Sequence, residues 1–256
     1  ALRGKPRSSI AVLAQKQAEG AIDAFVSAGN TGACVAAAQM RLRRLKGVHR
    51  PGIAILMPTL HGPVAICDVG ANVSCRPQHL HQYGVMAGIY VRAIYGTVAP
   101  RVALLSIGSE DAKGNELVRR TRELLHEDPT VNFVGNVEGR DLFRGVCDVV
   151  VCEGFVGNVV LKLMEGMAEA LIRTLLGHLV ESMPDHAAEV EASTRTILNK
   201  YDFNEYGGAP LLGVGGITII CHGASSYRGI MNAVRAAIEF SKHHVNEQIT
   251  QALSGN

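Results

Sequence analysis

The chain has 256 residues, 47% of them hydrophobic and 19% charged, with a formal net charge of +2. Such a composition buries a core unaided and excludes intrinsic disorder, and a net charge this small, with Lys and Arg scattered, excludes a nucleic-acid groove held by counterion release. The six cysteines, Cys34, Cys67, Cys75, Cys147, Cys152 and Cys221, contain no C-x-x-C pair, so reduced, mostly buried thiols are expected rather than a disulfide framework. No apolar run approaches the roughly 18 residues of a membrane-spanning helix, and the start lacks the apolar stretch of a signal peptide. A cytoplasmic location is expected, with a surface contact to a bilayer left open.

Along the chain, short β-branched or apolar runs predict strands at 24–27, 53–57, 64–68, 101–107, 131–135, 149–152 and 217–221. Several are apolar throughout, as strands covered on both faces must be. Helical patterns fall at 9–19, 32–46, 77–95, 114–126, 157–183 and 227–245. The alternation predicts an α/β fold, with an open and largely parallel sheet layered between helices on both faces. The stretch 165–204 departs from it: Leu171, Ile172, Leu175, Leu176, Leu179, Val180 and Met183 share one helical stripe, Pro184 breaks the helix, and a second helix follows at 187–200. A helical hairpin projecting from a single domain over 1–256 is expected. Its stripe packs on the core, on a second subunit or on a membrane surface.

Ligands of such sheets bind beyond the carboxyl ends of the strands, where this chain places polar, glycine-rich turns. Ser27-Ala-Gly-Asn-Thr-Gly32 leaves a strand and opens a helix, so its N–H groups suit an anion, with Asn30 and Thr31 as donors and Gly32 allowing close approach. Ordinary helix capping by Asn30 is the competing reading. Lys113, in a turn with Gly108 and Asn115, can hold phosphate as a point charge, with Asn115 as a further phosphate-binding candidate, although a single lysine in a turn is otherwise a solvated surface residue. Asn158 closes Gly154-Phe-Val-Gly-Asn158 at the mouth of a helix, where its amide could stabilise an oxyanion or cap the helix. Asp68 and Asn72 orient the site or cap a turn, and His222 is a proton shuttle or a structural histidine. The ten histidines show no metal-ligand spacing, and neither metal nor cofactor is expected. Leu212-Gly-Val-Gly-Gly-Ile precedes a strand, whereas a dinucleotide fingerprint follows one.

Together these turns resemble the PlsX-type phosphate acyltransferase family. The resemblance rests on Ser27-Ala-Gly-Asn-Thr-Gly-Ala33, Asp68-Val-Gly-Ala-Asn72, Lys113-Gly-Asn-Glu-Leu117, Asn132-Phe-Val-Gly-Asn-Val-Glu-Gly-Arg-Asp141, Gly154-Phe-Val-Gly-Asn-Val159 and His222-Gly-Ala-Ser225, in family order. It implies transfer of an acyl group from acyl-acyl carrier protein to inorganic phosphate in phospholipid synthesis, with Lys113 and Asn158 at catalytic positions. It also implies a fold similar to isocitrate and isopropylmalate dehydrogenases, a homodimer and peripheral membrane association. The family's glycine-rich first strand and turn are expected ahead of residue 1, which would make this chain N-terminally incomplete.

Phosphate attack on a thioester needs little base catalysis, because the dianion is abundant near pH 7 and a thiolate leaves readily. Asn30, Thr31, Gly32 and Lys113 are therefore expected to hold phosphate, with Asn158 on the oxyanion. Arg41, Arg43, Arg44, Lys46 and Arg50 form the densest cationic stretch, the expected dock for an acidic carrier protein or else a solvated face. The rival readings are an NAD(P)-dependent decarboxylating dehydrogenase, for which no cluster of metal-binding aspartates is present, and an inactive module that binds carrier protein or dimerises.

Overall fold

A computed structural model describes residues 5, 7–200 and 207–255, with side chains for all of these but 198–200. In chain order the elements are α1 (Ser9–Ala18), β1 (Ala24–Ser27), α2 (Thr31–Arg41), β2 (Gly52–Met57), β3 (Val64–Cys67), α3 (Pro77–Tyr95), β4 (Arg101–Leu105), α4 (Glu116–Glu127), β5 (Asn132–Val137), β6 (Val149–Val151), α5 (Gly154–Ser182), α6 (Ala187–Lys200), β7 (Ala209–Leu212), β8 (Ile217–Ile220), α7 (Tyr227–Lys242) and α8 (Val245–Leu253).

Among the described residues, eight strands form one sheet in the order β1-β8-β7-β2-β3-β6-β4-β5. It is more mixed than expected. One wing, β1 and β8, is parallel, and so is the other, β3, β6, β4 and β5. Between them β8, β7, β2 and β3 pair antiparallel. The physical reason is chain length: the segment from Met57 to Val64 is too short for a parallel crossover, which needs a dozen or more residues.

Two elements went unanticipated. Strand β7 reads Ala-Pro-Leu-Leu, and its proline masks a fully buried strand, because proline normally demotes a central strand. Helix α8 lies beyond the last helical pattern, which ends at 245; His244, in the left-handed region at φ 50°, separates it from α7.

Side chains alternate across the sheet. Ile53, Ile66, Ala103 and Val150 pack with Ala14 of α1, the buried face of α2 and the first turns of α5. Ala54, Ala65, Cys67, Val102, Leu104, Val149 and Val151 meet α3 and α8 on the other face. All six cysteines are free.

Helix α5 starts three residues earlier than the sequence suggests. Only Gly154 and Gly157 are fully buried along its 29 residues; Val160, Leu161 and Met164 of its first turns pack on the sheet, and the later, more exposed turns pack against α6. The expected hairpin is present through Lys200, and 201–204 lie outside the described residues. Ile172, Leu176 and Val180 are half-buried, while Leu171, Leu175, Leu179 and Met183 are exposed. Among the described residues no helix is long and apolar enough to cross a membrane.

Candidate functional site

The two wings meet at a cleft of about 240 Å³. Ile53 and Ile55 of β2 contribute to its wall, along with Val69 and Gly70 from the turn after β3 and Gly208 and Ala209 at the start of β7. Thr31 enters from the first residue of α2, and Cys221 and His222 follow β8. Asn158, Leu161, Lys162 and Glu165 come from α5. Because β1 and β8 are parallel neighbours, their carboxyl ends share one sheet edge, which brings the α2 start beside His222; the N–H of Cys221 bonds the carbonyl of Ser27 at 2.9 Å.

Asp68 builds the opposite wall. Its carboxylate is fully buried and accepts hydrogen bonds from the backbone N–H groups of Ile53 (3.0 Å), Gly70 (3.2 Å), Ala71 (3.0 Å) and Asn72 (2.7 Å). Burial pushes its pKa up, and the hydrogen bonds pull against that shift. The Asn72 amide donates to the Pro51 carbonyl at 2.7 Å and to the Tyr83 hydroxyl at 2.8 Å. The Asp68 carboxylate and the Asn72 amide nitrogen are engaged by protein and neither residue lines the cleft, so a direct phosphate contact does not fit them; they order the Val69–Gly70 turn that does face it.

Glycines then bring α5 onto this turn. A β-carbon on Gly157 would collide with the Asp68 carbonyl oxygen, and one on Gly154 would lie 2.7 Å from Asp68 Oδ2. Close backbone approach is therefore required at both positions. Glu153 caps the helix, accepting from the Phe155 N–H at 2.7 Å and the Val156 N–H at 3.1 Å. The capping reading of Asn158 is thereby removed: Asn158 lies inside the helix, exposed, beside Gly70.

Capping does occupy other candidates. Asn30 Oδ1 accepts from the Ala33 N–H at 2.9 Å and caps α2, and Asn115 Oδ1 accepts from the Val118 N–H at 2.9 Å and caps α4. Gly32 is not sterically required, since a β-carbon there would meet only Asn30 Oδ1 at 3.4 Å. Lys113 and Asn115 lie on the loop after β4, and neither lines the cleft. That loop is nonetheless close in topology: β6 sits between β3 and β4, all three parallel, so Asn158 follows a strand flanked by those carrying Gly70 and Lys113.

Among the described residues, the cation that lines the cleft is Lys162, one turn beyond Asn158 and on the same face of α5. Its Nζ lies 2.7 Å from Glu165 Oε2. Neither residue was singled out from the sequence, where Leu-Lys-Leu-Met-Glu reads as an ordinary amphipathic helix; the spacing of 158, 162 and 165 was the available signal. His222 Nδ1 accepts from the Ala224 N–H at 3.2 Å, which leaves the proton of the neutral ring on Nε2. Burial pushes the Cys221 thiol up to about 11, which favours the thiol over the nucleophilic thiolate. A covalent acyl-cysteine route is disfavoured on that ground. Among the described residues, no group of three or more His, Cys, Asp or Glu is placed to hold a metal.

A family model described as "Fatty acid synthesis protein" matches residues 1–248. The chain belongs to this family. Its relatives include the phosphate acyltransferase of Geotalea uraniireducens, 46% identical over 259 residues, covering 100% of this chain and 74% of that protein. The phosphate acyltransferase of Pelotomaculum thermopropionicum is 46% identical over 255 residues, covering 99% and 74%. Among solved structures, a phosphotransacetylase from Streptococcus pyogenes aligns with a TM-score of 0.60 at 15% identity, over 89% of this chain and 66% of that one. A branched-chain phosphotransacylase from Enterococcus faecalis aligns with a TM-score of 0.56 at 14% identity, over 91% and 80%. At such identity these two establish a shared mixed α/β fold.

Proposed function

We propose that the cleft transfers an acyl group from a thioester to inorganic phosphate and releases an acyl phosphate, with acyl-acyl carrier protein as the donor. The observation that carries this reading is the convergence of Thr31, Asn158, Lys162 and His222 from three segments on one cleft, a set of donors whose cation, Lys162, is paired with Glu165, with no activated nucleophile among the described residues. Sites of this composition hold and polarise reactants rather than form covalent intermediates. The family membership and the names of the relatives point the same way.

In this reading Lys162, the Thr31 hydroxyl and the N–H groups opening α2 hold the phosphate. A phosphate oxygen bonds to the carbonyl carbon, the carbonyl electrons move to oxygen, and Asn158 Nδ2 donates to that oxyanion. Collapse of the oxyanion breaks the C–S bond, and the electron pair leaves on the thiolate. His222, protonated on Nε2, supplies a further hydrogen bond to phosphate or oxyanion. Lys113 is kept as a second phosphate contact, delivered by the loop at the neighbouring strand end. An isocitrate dehydrogenase-like arrangement of the wings, with the hairpin inserted into a single domain, suits a cleft formed between them.

The test is hydroxylamine trapping of acyl phosphate formed from acyl-acyl carrier protein and phosphate. Asn158→Ala should lower kcat by about 10² to 10³, the usual cost of one oxyanion donor. Turnover near wild type would remove Asn158 from this role.

The exposed ridge of Leu171, Leu175 and Leu179 is proposed to pack against a second copy of the chain. Light scattering should report a dimer that Leu171→Glu with Leu175→Glu dissociates; a wild-type monomer that sediments with anionic vesicles would reassign the ridge to the membrane.

A further inference from the structure

A second cavity, formed by the connection between α2 and β2 and the opening of α3, is lined by Arg44, His49, Arg50, Arg76, Gln78 and His79. It shares no lining residue with the cleft and contains no carboxylate. Chain folding makes it: Arg44 and Arg50, members of one basic stretch in the sequence, are joined by the residues that open α3, while Arg41 and Lys46 line neither this cavity nor the cleft.

No carboxylate lines it, although Arg76 and Gln78 also border an adjoining hollow that holds Glu123. Arg101, Arg120, Arg122, Arg140, Arg144 and Arg173 each pair with a carboxylate. Among the described residues, Arg44, Arg50 and Arg76 pair with none; one Arg44 guanidinium nitrogen instead donates to the carbonyl of His49. The His49 and His79 rings stand edge to face with centroids 6.3 Å apart. Burial first, and then the positive charges of Arg50, His49 and Arg76, hold His79 below the ordinary histidine pKa. The Arg76 N–H donates to His79 Nδ1 at 3.1 Å, which leaves Nε2 as the ring's donor. The first turn of α3 carries no acidic residue, so the positive end of a 19-residue helix adds to the field.

We infer that this cavity binds a compact, multiply charged phosphate group, held by the forks of Arg44, Arg50 and Arg76 and by the His79 ring. Guanidinium forks converging on a concave site match the tetrahedral oxygens of a phosphate better than the spread carboxylates of an acidic protein face. The inference is independent of the chemistry proposed for the cleft.

The test uses pyrophosphate as probe, titrated calorimetrically into the full chain at low ionic strength. Saturable binding is expected, and Arg50→Gln with Arg76→Gln should weaken it about a hundredfold, since two charge-assisted contacts are each worth roughly tenfold. Lys162→Met, which alters only the cleft, should leave this binding in place. Proton NMR of the wild type supplies a readout free of folding effects: pyrophosphate should raise the His79 pKa. The inference fails if the double variant binds as wild type does, or if the His79 pKa does not move. It fails equally if pyrophosphate does not bind while phosphatidic acid vesicles or acyl carrier protein lose affinity in the double variant, which would make the cavity a lipid or protein dock.

Discussion

Asp68 accepts a 2.7 Å hydrogen bond from the backbone N–H of Asn72, and through it and three further N–H groups fixes the turn that forms one wall of the cleft. Asp68→Ala would leave those buried donors without an acceptor. A loss of about 3 to 5 kcal/mol is expected, the range for removing one partner of a buried charged network. Urea denaturation checks it, and a loss below about 1 kcal/mol would mean that water replaces the carboxylate.

Lys162 and Glu165 give opposite predictions. Lys162→Met should raise the KM for phosphate by about ten- to a hundredfold, the value of a charge-assisted contact, and Lys162→Arg should recover part of it. Glu165→Gln frees the lysine from a half-exposed ion pair worth about 1 kcal/mol at most, so KM should fall by up to about fivefold. Steady-state kinetics over a phosphate series separates these effects from kcat. An unchanged KM in Lys162→Met would remove the lysine from phosphate binding.

Cys221 is the one thiol on the cleft wall, and burial keeps it protonated. Cys221→Ala should therefore retain turnover, with no labelled acyl-enzyme in rapid-quench samples of the wild type. Inactivation of the folded variant would revive a covalent route.

Acid stability should report Asp148. Burial raises its pKa, but hydrogen bonds and charge from Arg101, at 2.7 to 3.1 Å, outweigh that and leave it below its ordinary 3.8. A depressed folded pKa contributes stability above the unfolded value, and the contribution is lost as pH falls through the folded value. Unfolding free energy measured below about pH 4 should decline less steeply in Asp148→Asn than in wild type; parallel curves would refute the assignment.

The sequence by itself determined the periodic elements and the glycine-rich turns. Apolar runs and helical stripes are local signals, so seven strands and the main helices were legible, as was the helical hairpin through Lys200. The mixed centre of the sheet was not: Pro210 disguises β7, and strand direction depends on which strand a short loop allows as neighbour. Asn158 was legible because its motif is contiguous. Lys162 and Glu165 were not, since a lysine and a glutamate three residues apart on a helix read as a solvated face until Gly154 and Gly157 seat that helix on Asp68. Burial likewise decided that Asp68 and Asn72 support the cleft wall from behind. The basic stretch at 41–50 carried its charge in the sequence, but only the chain's return at Arg76 and His79 makes two of its arginines part of a cavity. Hydrogen-bond saturation and convergence between distant segments are properties of packing, and those decided the site.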